Sequence, residues 1–344
     1  MTPLLEVNEL EVRFSSDTGE VASIDGVSFS VSPGEIVCIV GESGCGKSVT
    51  SLSIMGLLGQ SGKVTKGTIL FDGANLLEKT EKELDEIRGN SLTMVFQDAM
   101  TSLNPVLTIG GQMIETMRIH MKLDKKQAME RALGLLTKVG LPDGAKIMKK
   151  YPHTLSGGMR QRVMIAMALA CNPKLLIADE PTTALDVTIQ AQIMELLRSL
   201  NREYGMSIIL ITHDMGVVAE MADRVLVMYA GQIVEEAEVH QLFKRPEHPY
   251  TQALLKSIPS IRDDATRELV SIGGVVPEHY DQLVGCRFAN RCPYAGEECK
   301  SEQKLIEQEE EHFKRCWRSE ANIDQLHSIL ADEYHIRQEE TIGA

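Results

Sequence analysis

The chain has 344 residues, of which 43% are hydrophobic and 24% are charged, and its formal net charge at pH 7 is -14. The acidic balance argues against a nucleic-acid partner, because proteins that wrap nucleic acid need a basic face. No apolar run reaches the roughly 20 residues that span a bilayer, and the first residues lack the pattern of a secretory signal. We therefore expect a globular, cytosolic chain.

The first part of the chain predicts an antiparallel β element. Alternating apolar and polar residues indicate half-buried strands at 5–14 and 27–31, and another apolar run at 68–71 adds a third strand. Phe14 falls at the end of the first predicted strand. An aromatic residue there either stacks on a nucleotide base or packs as an ordinary strand residue, and both interpretations stay open.

A glycine-rich turn joins the apolar run at 35–40 to a predicted helix that follows it. The turn reads G-x-x-x-x-G-K-S and consists of Gly41, Glu42, Ser43, Gly44, Cys45, Gly46, Lys47 and Ser48. A strand, this spacing and a helix form a phosphate-binding loop, in which backbone N–H groups and the helix N-terminus surround a phosphate. Lys47 then reaches the terminal phosphates and the Ser48 hydroxyl ligates Mg²⁺. The sequence therefore predicts a nucleoside triphosphate site.

Polar residues also end three further predicted strands. The strand at 92–97 ends in Gln97, the strand at 174–180 ends in Asp179 and Glu180, and the strand at 207–212 is followed by His213. An Asp at such a place in a phosphate-loop fold holds Mg²⁺, and the Glu beside it can orient or deprotonate the attacking water. A lone His at a strand end is more often structural, so His213 by itself indicates little.

A second glycine-rich turn lies at 155–162 and contains Ser156, Gly157 and Gly158. We expect it to open a helix at 163–170 and to present another helix N-terminus suited to an anion. Apolar residues at three- and four-residue spacing predict a helical region over 109–139 before this turn.

Taken in this order, and together with Ala184-Leu185-Asp186, these motifs resemble the full motif set of ATP-binding-cassette (ABC) ATPases over about residues 4–257. The resemblance implies an α/β fold: a phosphate-loop (RecA-like) core with an antiparallel β subdomain and a helical subdomain at about 99–160. Residues 1–257 would form this nucleotide-binding domain. Two such cassettes would pair head to tail, with ATP between the phosphate loop of one and the Ser156 turn of the other.

The resemblance also implies a role for each motif. Glu180 would be the catalytic base, His213 would contact the γ-phosphate, and Gln97 would sense Mg²⁺ and couple to a membrane partner. The implied Mg²⁺ ligands are Ser48, Gln97 and Asp179. The implied ATP contacts are Phe14, Gly41, Ser43, Gly44, Cys45, Gly46, Lys47, Ser48, Val49, Gln97, Asp179, Ser156, Gly157, Gly158 and Asp186.

Narrower motifs at 97–105, 151–153, 248–255 and 285–293 are similar to the ATP-binding subunits of dipeptide and oligopeptide permeases, and the match is to the first of their two cassettes. Such systems combine two different ATPase subunits, two transmembrane permease subunits and an external peptide-binding protein. The resemblance implies ATP-driven peptide import from the cytoplasmic face of the membrane. The alternatives are import of nickel or another small solute, and a soluble ABC ATPase outside transport.

Residues 258–344 form a predicted C-terminal extension with four of the seven cysteines, Cys286, Cys292, Cys299 and Cys316. Four grouped thiolates can hold a soft metal, although the C-x5-C-x6-C-x16-C spacing is neither a zinc ribbon nor a ferredoxin run. The resemblance implies a 4Fe–4S cluster, while structural zinc and free thiols or disulfides stay open. His312 is an alternative ligand, and the acidic run at 307–311 predicts a solvated helix face.

Overall fold

The computed structural model describes residues 2–16, 19–98, 102–183, 185–258, 272–277 and 280–318. The motif residue Ala184, the start of the predicted helical subdomain at 99–101, and much of the predicted extension lie outside these ranges.

The centre of the described part is a sheet of parallel strands with an antiparallel edge. Its strands are β3 (Ile36–Val40), β6 (Leu92–Val95), β7 (Leu175–Asp179), β8 (Ser207–Ile211), β9 (Arg224–Tyr229), β10 (Gln232–Glu238), β11 (Ile306–Glu309) and β12 (His312–Lys314). Their order is β11-β12-β10-β9-β3-β8-β7-β6. The strands β9, β3, β8, β7 and β6 are parallel, and β3, β7 and β8 are buried along their whole length. Continuous apolar runs such as these suit a sheet that is covered on both faces.

The second sheet is antiparallel, as the sequence predicts. It contains β1 (Leu5–Ser16), β2 (Gly19–Val31), β4 (Gly62–Phe71) and β5 (Ala74–Asn75) in the order β2-β1-β4-β5. Its apolar face shares a core with the first helix and with one face of the parallel sheet, for example through Val7, Ile54 and Ile177. This packing fixes the antiparallel sheet beside the phosphate loop.

The helices are α1 (Lys47–Met55), α2 (Glu81–Ile87), α3 (Ile109–Met121), α4 (Lys125–Lys138), α5 (Gly144–Ile147), α6 (Gly157–Ala168), α7 (Val187–Tyr204), α8 (Met215–Met221), α9 (Val239–Lys244) and α10 (Pro249–Lys256). The predicted region 109–139 is two helices, because the left-handed Lys122 ends α3 and Asp124 caps α4. The helix predicted from Val163 begins already at Gly157, because the Ser156 hydroxyl caps it there.

Among the helices of the described ranges, none has both the length and the apolar character needed to cross a membrane.

The extension adds strands to the edge of the parallel sheet, where β12 pairs with β10 and β11 pairs with β12. The prediction of a helix at 307–311 is wrong, because the acidic run forms β11 and the turn after it. His312, considered as a metal ligand, instead places Nε2 2.8 Å from Oε1 of the buried Glu235 on β10. The neighbouring Lys314 pairs with Glu247 at 2.8 Å, and both side chains are buried. These two buried contacts therefore fix this part of the extension to the core.

Candidate functional site

The loop between β3 and α1 has the backbone of a phosphate-binding loop. Gly41, Gly44 and Gly46 have φ angles of 150°, 81° and 106°, which are values that glycine adopts readily. A Cβ added to Gly41 would lie 2.2 Å from the carbonyl oxygen of Met228 on β9. The first glycine is therefore required both by its conformation and by the close approach of the neighbouring strand.

Lys47 opens α1 and is buried, with its ammonium group turned back to the start of the loop. Nζ donates hydrogen bonds to the carbonyl oxygens of Gly41 at 2.8 Å and Glu42 at 3.0 Å, and its distance to Sγ of Cys45 is 3.8 Å. Cys45 is fully buried, and burial raises the pKa of its thiol. The cation is thus held beside the loop N–H groups, where the terminal phosphates of a nucleotide are expected.

Ser48 and Asp179 bring the second residue of α1 to the end of β7. The Ser48 hydroxyl donates a 3.2 Å hydrogen bond to Oδ1 of Asp179. Asp179 is buried, and this burial raises the pKa of its carboxyl above the ordinary value. A hydroxyl and a carboxylate in contact beside a phosphate loop provide the oxygen ligands that Mg²⁺ prefers.

Glu180, the next residue, is the meeting point of three polar side chains. Oε2 accepts hydrogen bonds of 2.9 Å from Nε2 of Gln97 and from the Thr183 hydroxyl. Nδ1 of His213 lies 3.4 Å from Oε1 of the same carboxyl. Only 17% of the Glu180 side chain is exposed, whereas His213 is 66% exposed. A carboxylate held in this way can accept a proton from an attacking water.

The structure therefore brings together the predicted residues of four strand or loop ends: Ser48, Gln97, Asp179, Glu180 and His213. Thr183 was missed by the sequence interpretation. Its signal was available in the spacing, because a hydroxyl three residues beyond Glu180 can turn back onto it through the Pro181–Thr183 turn.

The second glycine-rich turn packs against the segment that leads into α7. A Cβ on Gly157 would lie 3.4 Å from Leu185, and one on Gly158 would lie 2.9 Å from Ile189. Ser156 accepts from the Met159 N–H, and Asp186 caps α7 by accepting from the Ile189 N–H at 2.9 Å. Gly157 and Gly158 thus form a small surface at the N-terminus of α6. This surface is separate from the group of side chains around the Glu180 carboxylate.

Phe14 and Val49 occupy packing positions at the border of the site. Both are partly buried and lie against the core between the antiparallel sheet and α1. The Phe14 ring covers Gly62, where an added Cβ would come within 2.7 Å of the ring. Phe14 therefore packs as a strand residue, which is one of the two interpretations that the sequence left open. The other interpretation is base stacking.

Tyr250 on α10 is a further contact of the loop that the sequence interpretation missed. The backbone N–H of Glu42 donates a 2.8 Å hydrogen bond to the Tyr250 hydroxyl. Tyr250 follows Glu42 by 208 residues, so no local pattern could have connected them.

The four extension cysteines line one narrow cavity together with His248 and Phe288. All four are free, and Nε1 of Trp317 donates to Sγ of Cys299 at 3.2 Å. Burial raises the pKa of Cys286 to about 11 and also raises the pKa of Cys292 and Cys316. In the part of the chain that the structure describes, no group of three or more His, Cys, Asp or Glu side chains is placed to hold a metal ion. The four cysteines thus lie around one cavity, and the iron–sulfur cluster and its zinc alternative at Cys286, Cys292, Cys299 and Cys316 stay predictions.

Two family models cover much of the chain. The model described as ABC transporter matches residues 24–183, and the model described as oligopeptide/dipeptide transporter, C-terminal region, matches residues 234–299. An AAA domain model matches residues 149–219.

Curated relatives extend this similarity over nearly the whole chain. The oligopeptide transport ATP-binding protein AppD of Bacillus subtilis is 54% identical over 92% of this chain and 97% of its own length. The dipeptide transport ATP-binding protein DppD of Escherichia coli is 52% identical over 88% of this chain and 92% of its own. The DppD protein of Bacillus subtilis is 48% identical over 97% of this chain and 99% of its own.

Solved structures are similar over the cassette. A dimeric post-hydrolysis state of the ATP-binding cassette MJ0796 with ADP and Pi has a TM-score of 0.62 and 30% identity, over 68% of this chain and 98% of that one. The cbiO1 protein of Clostridium perfringens, described as part of an ABC transporter complex, has a TM-score of 0.60 and 31% identity, over 71% of this chain and 92% of that one.

Proposed function

Because this chain belongs to the family of ATP-binding subunits of dipeptide and oligopeptide ABC transporters, we propose that it hydrolyses ATP to power the import of peptides through a membrane transporter. The observation that carries the proposal is the convergence of Gln97, Thr183 and His213 on the Glu180 carboxylate, beside the contact between Ser48 and Asp179.

Hydrolysis at this site requires positioning and charge stabilisation more than covalent chemistry. The N–H groups of the loop and the Lys47 ammonium bind the phosphates, through the predicted contacts Gly41, Ser43, Gly44, Cys45, Gly46, Lys47, Ser48 and Val49. Glu180 accepts the proton of the attacking water, and His213 approaches the γ-phosphate. Ser48, Gln97 and Asp179 would hold Mg²⁺, which would supply charge neutralisation on the phosphate oxygens. Phe14 supports the adenine ring.

The Ser156 turn acts on a second cassette. Ser156, Gly157 and Gly158 stand at the N-terminus of α6, which is suited to the γ-phosphate bound by the partner's loop, and Asp186 lies next to the same interface. The similar MJ0796 cassette is described as dimeric, which supports the pairing of two cassettes. In the peptide transporter the second cassette is a different ATPase subunit, so the dimer is a heterodimer.

The membrane partners bind in a groove beside Gln97. The groove is lined by apolar side chains that include Met55, Leu57, Phe96, Leu103 and Met164. Phe96 directly precedes Gln97, so a cytoplasmic segment of a permease subunit seated there adjoins the residue that contacts Glu180. The chain is thus a peripheral protein on the cytoplasmic face of the membrane.

Cargo is selected by the permease subunits and an external binding protein, and the peptide-transport names of the relatives favour peptides over nickel.

The four cysteines of the 258–344 extension are proposed to take a 4Fe–4S cluster in the cell, with zinc as the alternative. Their shared cavity supports this proposal, and metal entry requires loss of the thiol protons. The test is the iron, acid-labile sulfide and zinc content of the full chain purified without oxygen. Loss of iron and sulfide in a Cys286→Ser variant supports the cluster, and a chain free of metal overturns it.

The function is tested by co-purification with its permease subunits and by peptide uptake in reconstituted vesicles. We expect ATP-dependent uptake that the Lys47→Ala variant abolishes. A chain that hydrolyses ATP but never associates with permease subunits would contradict the transport function while preserving the ATPase activity.

A further inference from the structure

A side chain of the C-terminal extension holds the second residue of the phosphate loop. Nη1 of Arg291 lies 2.7 Å from Oε2 of Glu42, and Nη2 lies 2.9 Å from Oε1. Two parallel hydrogen bonds of this kind form the strongest common geometry between a guanidinium group and a carboxylate. The contact joins residues that are 249 positions apart in the chain.

Contacts with residues outside the loop also fix the position of the Arg291 side chain. Its Nε donates to the carbonyl oxygen of Gly273 at 2.8 Å, and its guanidinium lies 5.7 Å from the centre of the Tyr229 ring. Only 5% of the Arg291 side chain is exposed. A planar group held in this way is preorganised to bind the Glu42 carboxylate through two parallel hydrogen bonds.

Glu42 is consequently held twice by groups outside the loop. Arg291 binds its carboxylate, and the Tyr250 hydroxyl accepts a hydrogen bond from its backbone N–H. The glycines on both sides, Gly41 and Gly44, provide little conformational restraint of their own. The contacts of Glu42 therefore act together with the hydrogen bond from Lys47 to the Gly41 carbonyl oxygen to fix this part of the loop.

We propose that Arg291 is a positioning residue of the ATP site, which fixes the 41–44 segment of the phosphate loop and compensates the negative charge of Glu42. This inference rests on the proposed ATPase function. Without Arg291, an unpaired carboxylate would stand in the loop that binds the polyphosphate, and like charges at short range repel each other. The extension thus contributes to nucleotide affinity, although Arg291 lies outside the motifs of the cassette.

The test measures binding of the nonhydrolysable analogue AMP-PNP with Mg²⁺ to the full chain by titration calorimetry. We expect Arg291→Ala to weaken binding by about tenfold, because a charge-assisted hydrogen bond is lost and a charge is left unpaired. Steady-state hydrolysis should show a raised KM with kcat at saturating ATP unchanged. Adding Glu42→Gln to Arg291→Ala should restore binding to within about threefold of wild type, since it removes the unpaired charge.

The matched control is Arg315→Ala. Arg315 is also an arginine of the extension, and its Nε donates to the carbonyl oxygen of Ile233 on β10 at 2.9 Å, away from the phosphate loop. We expect this variant to bind AMP-PNP as wild type does. Equal weakening in Arg315→Ala and Arg291→Ala would overturn the proposal, because it would indicate a general effect of the extension on stability.

Two other results would also overturn the proposal: unchanged affinity in a folded Arg291→Ala chain, or a double variant as weak as the single one. If Arg291→Ala does not fold, Arg291→Lys decides instead. Lysine keeps the positive charge but cannot form the two parallel hydrogen bonds of a guanidinium group. Binding of AMP-PNP about threefold weaker therefore supports the proposal, and unchanged binding refutes it. Failure of wild type itself to bind AMP-PNP would refute the ATPase function, which distinguishes the two failures.

Discussion

Nε2 of Gln97 donates a 2.9 Å hydrogen bond to Oε2 of Glu180. The bond joins the carboxyl ends of β6 and β7, which are neighbours in the parallel sheet. Because the amide nitrogen is engaged with Glu180, the carbonyl oxygen of the Gln97 side chain is the atom available as a Mg²⁺ ligand. One side chain can therefore contact both Glu180, the proposed general base, and the proposed Mg²⁺ position.

Replacing Glu180 by Gln should abolish turnover while ATP still binds. The amide keeps the size of the side chain but cannot take a proton, so we expect kcat to fall by at least about 100-fold. Steady-state ATPase activity and nucleotide binding are the measurements. His213→Ala is the comparison, and its loss should be smaller because His213 is 66% exposed and contacts the same carboxylate from outside. Near-normal hydrolysis in Glu180→Gln would refute its role as base.

Ser48→Ala should raise the Mg²⁺ concentration that hydrolysis requires. The substitution removes the hydroxyl that contacts Asp179 at 3.2 Å and with it one oxygen ligand. A Mg²⁺ titration of ATPase activity measures the effect. Ser48→Thr keeps the hydroxyl and should remain close to wild type. Identical half-saturation by Mg²⁺ in Ser48→Ala and wild type would contradict the assignment.

Gly41→Ala and Gly44→Ala should differ sharply although both lie in the phosphate loop. A Cβ on Gly41 would be 2.2 Å from the Met228 carbonyl oxygen, whereas nothing lies within 4 Å of one on Gly44. Both residues have left-handed φ angles, so Gly44→Ala should lower the free energy of unfolding by about 1 kcal/mol. Gly41→Ala should lower it by more than about 2 kcal/mol and abolish nucleotide binding. Denaturant unfolding and calorimetry distinguish these outcomes, and equal effects would show that the contact with β9 is unimportant.

Glu11 should make the antiparallel sheet sensitive to acid. Hydrogen bonds from Lys66 and Arg13 lower the pKa of Glu11 from its ordinary value of 4.5 to about 2. Since the unfolded chain binds the proton more readily, the stability from this carboxylate is complete above pH 4.5 and is lost as the pH falls toward 2. We expect Glu11→Gln to lower the free energy of unfolding by about 1 kcal/mol at pH 7, because Lys66 is exposed to solvent.

Unfolding in urea at pH 7, 4.5 and 3 tests this expectation. The difference between wild type and Glu11→Gln should shrink as the pH falls through the window. A difference that stays constant with pH would mean that Glu11 acts through packing rather than through its charge.

His312→Ala should loosen the extension from the sheet. Glu235 is fully buried and accepts from the N–H groups of Glu247 and His248 as well as contacting His312. Removing His312 leaves part of a buried carboxylate unpaired, which costs about 2 kcal/mol. The fluorescence of Trp317, the single tryptophan of the chain, reports on unfolding of the extension. His312→Gln keeps a donor and serves as the control, and coincident transitions in all three proteins would contradict the prediction.

The sequence predicts the centre of this site well because its chemistry is local. The spacing from Gly41 to Ser48 defines the phosphate loop, and apolar strands that end in Gln97 and in Asp179-Glu180 place these side chains at one edge of a parallel sheet. The contact of Glu180 with Gln97 follows from the adjacency of β6 and β7. The loop follows from local spacing alone, whereas the contact between Gln97 and Glu180, which are 83 positions apart, depends on the strand order that the structure shows.

Features set by distant contacts were beyond sequence reasoning. Tyr250 and Arg291 reach Glu42 from far along the chain, and no periodicity links them. The acidic run at 307–311 has the composition of a solvated helix, yet pairing with β12 makes part of it a strand. His312 resembles a metal ligand by its distance from Cys316 in sequence, yet a buried carboxylate on β10 determines its position. For the acidic run, tertiary pairing overrides local propensity.

The pairing of β12 with β10 has a consequence for synthesis of the protein. Strand β10 is complete at Glu238, whereas β12 begins only at His312, so a growing chain carries β10 for some time without this neighbour. An uncovered strand edge is a template for pairing with other chains. Polypeptides stopped between these strands would retain the phosphate loop and Glu180 yet expose the β10 edge, so we expect them to aggregate. In the full chain β12 covers this edge.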